Sequence, residues 1–111
     1  MNETITNPQG EILDYTFHDA GSRTRDLLII GHGVTGNKDR PFVVALAESV
    51  ASEGLSVLRF SFSGNGVSGG DFRDSTISKE VDDLKSVVSA AVANGYKVTY
   101  AGHSMGGAVG V

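Results

Sequence analysis

The sequence predicts an α/β fold: a mostly parallel sheet with crossover helices, preceded by an N-terminal hairpin. Apolar runs alternate with stretches of helical period in the order strand–helix–strand–helix–strand, which implies parallel pairing with right-handed crossovers. Fifteen of the 111 residues are glycine, about twice the usual share. Most lie in three clusters, Gly31 to Gly36, Gly64 to Gly70 and Gly102 to Gly110, and each cluster directly follows an apolar run. Backbone-permissive turns therefore fall at strand ends, where open α/β sheets build their sites.

Taken in order, Asn7-Pro8-Gln9-Gly10 is a turn between two extended runs. The second run, Glu11 to His18, alternates Ile12, Asp14 and Thr16 with Leu13, Tyr15 and Phe17, as a hairpin strand does. Leu27 to Ile30 is a continuous apolar run, expected of a strand buried on both faces. Pro41 suits a first helical turn, and Phe42/Val43, Leu46/Ala47 and Val50/Ala51 hold helical spacing until Gly54. Leu55 to Phe62 reads as the next strand. From near Ser75, Ile77, Val81, Leu84, Val88 and Ala91 recur at steps of four and three until Gly95, and Lys97 to Ala101 is again a strand. Only about two turns of a further helix follow Gly102. An apolar last strand without a neighbour would leave an exposed edge, so residues 1–111 are expected to be the N-terminal portion of a larger domain, truncated soon after this strand.

Composition excludes several classes of function. The formal net charge is −4 and the lysines and arginines are scattered singly, unlike a nucleic-acid surface. The absence of cysteine removes disulfides, thiolate metal sites and cysteine nucleophiles. The first residues lack the pattern of a signal peptide and no apolar run approaches membrane-spanning length, which makes the cytoplasm the default location. The acidic group Glu80, Asp82 and Asp83 reads as a solvated helix face rather than a metal site, and no metal or cofactor is expected. Phe60, Phe62 and Phe72 read as core or loop anchors.

Gly102-His103-Ser104-Met105-Gly106 matches the G-x-S-x-G nucleophile elbow. Such a serine sits on a strained strand-to-helix turn that needs small neighbours and lifts its hydroxyl clear of the sheet. The pattern alone is weak, because Gly66-Val67-Ser68-Gly69-Gly70 matches too. Context separates them: Ser104 directly follows the run Val98 to Ala101 and precedes helix-compatible residues, whereas Ser68 is set back from its strand and leads into a loop. Ser104 is accordingly the candidate nucleophile. In a hydrolase, Gly31-His32-Gly33-Val34-Thr35-Gly36 would be the loop donating one oxyanion-hole N–H, from Val34, with the second from Met105. Gly33, Gly102 and Gly106 would support these loops. His103 adjoins the nucleophile and points away from it, His32 fronts the oxyanion loop as a backbone partner, and His18 lies in the hairpin. None of the three fills the role of general base.

Two other readings stay open. Gly31 to Gly36 also spells G-x-G-x-x-G, and so does Gly64 to Gly69, the mark of a dinucleotide-binding domain. Against it, Asn37 to Pro41 delays the helix, and the next strand carries Arg59-Phe60-Ser61-Phe62 rather than an acidic residue for the ribose; Arg59 would suit a phosphorylated ribose. The third reading is a non-catalytic module on a hydrolase-like fold.

Three segments in order, Gly31 to Lys38, Leu58 to Gly70 and Gly102 to Gly107, together resemble the serine aminopeptidase-like and cinnamoyl (feruloyl) esterase-like branch of the α/β-hydrolases. The resemblance spans the chain from about Leu27 onward. It implies an ester-cleaving serine hydrolase acting on a small-molecule ester or related acyl substrate, with Ser104 as nucleophile and Val34 and Met105 at the oxyanion hole. It implies that Gly64, Gly66 and Ser68 shape the loop after their strand, and that the strands ending at Gly31 and at Ser104 are neighbours. The triad Asp and His of relatives lie well beyond the elbow, hence past Val111. The chain departs from the family at Ser61, usually Asp, which bears on loop anchoring, and at Val34, often aromatic, which bears on the acyl pocket.

Overall fold

The structure, a computed structural model, describes residues 1–21, 25–32, 36–66, 68–70 and 77–102. In chain order the elements are β1 (Ile5–Thr6), β2 (Ile12–Leu13), β3 (Tyr15–His18), β4 (Asp26–Gly31), α1 (Pro41–Ser52), β5 (Ser56–Phe60), α2 (Ile77–Ala93) and β6 (Lys97–Gly102). Strands β1 and β2 form a two-stranded antiparallel hairpin, and the main sheet has the order β3-β5-β4-β6. In that sheet β5, β4 and β6 are parallel, and β3 runs antiparallel along β5.

Side-chain alternation divides the core between the two faces of the sheet. Leu27 and Ile29 of β4, with Leu58 and Phe60 of β5, join Val87 and Ala91 of α2 in one buried cluster. Ile30 of β4 and Val57 of β5 meet Val43 and Ala47 of α1 in the other. Strand β5 is buried along its whole length, as a central strand with a helix on each face must be. Gly54 and Gly95 follow the two helices with φ of +93° and +83°, the left-handed conformation that stops a helix.

Three details differ from the sequence pattern. The run Glu11 to His18 is not one strand: it divides at Asp14, whose N–H donates to Ser68 Oγ at 2.7 Å and whose carbonyl accepts from Ser61 N at 2.9 Å. The backbone there leaves the hairpin to bind the loop after β5, and β3 then joins the main sheet. Strand β5 ends at Phe60 rather than Phe62, where the next backbone groups bond to side chains: the Ser61 carbonyl accepts from Ser68 Oγ and Phe62 N donates to His32 Nε2. Finally, two of the three acidic residues on α2, Glu80 and Asp83, are not solvated, while Asp82 is only partly buried. Asp83 is fully buried and Glu80 is 8 % exposed. The side-chain oxygens of Asp83 accept from Asn7 Nδ2 and from Ser63 N, each at 2.8 Å. Asp83, Val87 and Ala91 form the most deeply buried line of the helix, with Val81, Leu84 and Val88 packed beside it and only partly covered.

Asn7 carries this polar interior out to the hairpin turn. Its Oδ1 accepts from the N–H groups of Gln9 and Glu11, and its Nδ2 also donates to Glu11 Oε1 at 2.8 Å. Asp83→Ala would strand two buried donors, so it is expected to lower the unfolding free energy by about 2–4 kcal/mol. A fall in the denaturant midpoint at unchanged slope would report this, with Asp83→Asn recovering part of the loss because it keeps an acceptor.

Candidate active site

The chain moves from β4 to β5 on one side and then returns past β4 to β6 on the other. The sheet order therefore reverses at β4, and in open α/β sheets the crevice at such a reversal, beyond the carboxyl ends of the strands, is where ligands bind. Gly31 and Gly102 are register partners at this point. Tyr100 explains the first glycine, because a Cβ at Gly31 would run into the Tyr100 hydroxyl and ring. Burial, with a smaller contribution from Glu80, pushes that hydroxyl up to about 12, so it is protonated throughout the neutral range.

His32 follows Gly31 and is 3 % exposed. Its Nε2 accepts the backbone N–H of Phe62 at 2.9 Å, and its ring meets Phe62 edge-on at 5.1 Å between centroids. An Nε2 held as an acceptor leaves the ring proton on Nδ1, and the imidazole ties the end of β4 to the end of β5. His18 sits at the other end of the sheet, its Nε2 accepting from Arg59 Nε at 2.9 Å. Burial and then the Arg59 charge hold its pKa below the usual histidine value.

A polar network joins β3, the loop after β4, β5 and the loop after β5. Ser61 Oγ accepts Lys38 N at 3.0 Å, and Arg59 Nη1 donates to the Lys38 carbonyl at 2.8 Å and to Asp39 Oδ1 at 2.6 Å. Lys38 Nζ reaches Thr16 Oγ1 at 2.9 Å and Asp14 Oδ2 at 3.4 Å. The hydrogen bond from Arg59, with help from Lys38, holds the Asp39 carboxyl below its ordinary range. Ser68, the second serine matching the elbow pattern, is buried in the loop, where its Oγ donates to the Ser61 carbonyl at 2.7 Å. Arg59 is thus committed to the protein's own backbone and carboxylate. Helix α1 starts only at Pro41, beyond the glycine motif.

Of the predicted site residues, the structure describes His32 and Gly102 and brings the ends of their strands together. Gly33, Val34, His103, Ser104, Met105 and Gly106 lie outside the described residues, as do Phe72 and the side chain of Ile77. Sequence reasoning missed the clamp formed by Lys38, Arg59 and Ser61 and the buried pair Glu80 and Asp83. The four-residue step from Asp83 to Val87 to Ala91 is the one local signal that could have revealed the latter.

The family model described as "Serine aminopeptidase, S33" matches residues 22–111. The chain belongs to this family. Its fold is accordingly that of the α/β-hydrolases, and solved structures agree. Est1E of Butyrivibrio proteoclasticus, solved with ferulic acid bound, superposes with a TM-score of 0.87 at 29 % identity over 96 % of this chain and 45 % of its own. The Pyrococcus furiosus esterase Pf2001 gives 0.82 at 30 % identity, covering 96 % of this chain and 42 % of its own. An alpha-beta serine hydrolase homologue from Coxiella burnetii gives 0.82 at 28 % identity, covering 98 % and 55 %. This member of the serine aminopeptidase family thus spans about half the length, or less, of these structures. No curated protein matches it at a significant level. None of the described helices is long and apolar enough to cross a membrane, and no group of metal-binding side chains occurs among the described residues.

Near Tyr100, Glu80 Oε2 is buried with no hydrogen-bond partner among the described residues. Burial and then the neighbouring Asp83 raise its pKa above the ordinary 4.5. The folded state therefore holds this proton more tightly than the unfolded chain, and the associated stability is full below about 4.5 and lost as pH rises through the folded value. Glu80→Gln removes the titration, so its stability should gain on the parent as pH climbs above that point, with little difference in acid. Urea midpoints measured across pH would show the two curves diverging.

Proposed function

We propose that this chain carries the nucleophile and both oxyanion-hole donors of a serine hydrolase that cleaves carboxylic esters through an acyl-enzyme on Ser104. The single observation supporting this reading most strongly is the pairing of Gly31 with Gly102 at the reversal of the sheet order. Val34 and Met105 each follow one of these glycines by three residues, so their two loops spring from adjacent strand ends on the same edge of the crevice. Backbone amides donate whatever their side chains, which lets two apolar residues serve.

In this mechanism the Ser104 hydroxyl attacks the ester carbonyl and its proton passes to a histidine base. The two amides hold the tetrahedral oxyanion, the alcohol leaves, and water then releases the acid. The base belongs to the segment of the domain that lies past residue 111 in relatives: His32 is committed to Phe62 N and His18 to Arg59. Residues 1–111 are thus one portion of a single hydrolase domain, with little turnover on their own. No cofactor takes part in this scheme, and we read the protein as cytoplasmic. The ferulic acid bound to Est1E makes small phenolic esters the first substrates to try.

The full-length protein should be labelled by a fluorophosphonate at Ser104, and Ser104→Ala should abolish labelling and lower ester turnover by a factor on the order of 10⁴ or more. Unaltered hydrolysis in that variant would sink the assignment. A Ser104 inert to the reagent in the parent would instead mark a binding module on the hydrolase fold.

A further inference from the structure

We propose that Ser61 is a positioning residue for this site, fixing the loop that follows β4 and the loop that follows β5 relative to each other. The inference rests on the reading of Ser104 and Val34 given above. Ser61 is 1 % exposed and uses every polar atom it has. Its N–H donates to the Asp14 carbonyl at 2.9 Å, its carbonyl accepts Ser68 Oγ at 2.7 Å, and its Oγ accepts Lys38 N at 3.0 Å. Ser68 Oγ in turn accepts Asp14 N at 2.7 Å, which closes a ring of hydrogen bonds. The loop after β5 folds back over this hydroxyl at Gly66. A Cβ there would stand 2.9 Å from Ser61 Oγ and 3.1 Å from Asn37 Cβ, and Gly66 has a φ of +54°, so only glycine passes without displacing both.

Ser61 therefore joins the loop after β4, through its hydroxyl, to the loop after β5, through its carbonyl. Lys38 stands four residues beyond Val34 in the chain, and a small displacement at the root of a donor-bearing loop is felt in the rate, since misplacement by about 1 Å can cost on the order of 10². Losing the Ser61 acceptor should not release the loop altogether. Arg59 still binds the Lys38 carbonyl and Asp39 from the same strand, so the loop stays docked but shifts. This separates a positioning role from a purely structural one.

The test compares the full-length parent with Ser61→Ala and Ser61→Thr, using p-nitrophenyl acetate hydrolysis, fluorophosphonate labelling and hydrogen exchange of the Lys38 amide. Ser61→Ala is expected to lower kcat and the labelling rate about tenfold, with KM changed by less than about twofold and Lys38 N–H exchanging faster. Ser61→Thr keeps the hydroxyl acceptor without adding a charge and should return kcat to within about threefold of the parent. Equal kcat in the parent and Ser61→Ala overturns the proposal, and so does an equal loss in both variants. If Ser61→Ala does not fold, Ser61→Cys keeps the volume with a weaker acceptor; a parental rate there is equally fatal, and a loss of kcat at constant KM supports the role. A parent that does not react with the fluorophosphonate defeats the hydrolase reading itself, an outcome distinct from any ratio between variants.

Discussion

Ile29 and Ile30 are consecutive residues, and both are almost wholly removed from water on opposite faces of the same strand. A strand in that position can be stable only if each face is covered, and burying each such side chain contributes roughly 1.5–3 kcal/mol. Helix α1 covers one face of β4 and β5, and α2 covers the other. The chain therefore has to move outward from β4 to β5, then return across β4 to β6. The reversal of order that creates the crevice is a consequence of covering both faces, and Gly31 and Gly102 meet there because β4 and β6 are neighbours in parallel register.

Closing the two faces leaves a different problem at the carboxyl ends of the strands, where loops run inward and carry buried polar groups. An unpaired buried donor or acceptor costs about 1–3 kcal/mol. Here most are paired over long sequence separations: Asn7 with Asp83, His32 with Phe62 N, Lys38 N with Ser61. These bonds are weak individually in net terms, yet each fixes where one segment ends relative to another. They act on position more than on stability.

The apolar layers were legible in the sequence because they obey short periods. Alternation and four-residue steps located every strand of the main sheet and both helices, and glycine clusters located the loops beyond them. The division at Asp14 was not legible, since Ile12, Asp14 and Thr16 alternate with Leu13, Tyr15 and Phe17 without interruption, and the cause of the break is a serine 54 residues away. Asp83 was misread because an acidic residue on a helix is usually solvated; its partners, an asparagine 76 residues earlier and a backbone amide 20 residues earlier, have no local signature. Arg59 was weighed as a possible ribose-phosphate ligand, and its commitment to Lys38 and Asp39 appears only in three dimensions. Periodic burial can be read from neighbours in sequence, whereas polar satisfaction depends on partners that only the fold supplies.

The two faces of the sheet settle their charges differently, and this bears on why a neutral residue suits position 61. On the face shared by Thr16, Arg59 and Ser61, two cations, Lys38 and Arg59, stand against two carboxylates, Asp14 and Asp39, within 3.4 Å. That set is balanced, so a serine can anchor Lys38 N without adding a charge that would need its own partner. On the α2 face, Glu80 and Asp83 are close to one another, while the nearby Lys79 is paired with Glu11 at 2.9 Å. With no ion pair to a cation among the described residues, this pair relies on donated hydrogen bonds for Asp83 and on a raised affinity for the proton at Glu80. One side is thus held by compensated ions. The other carries a carboxyl, Glu80, that holds its proton more tightly than usual, and Tyr100, which covers Gly31, feels its charge.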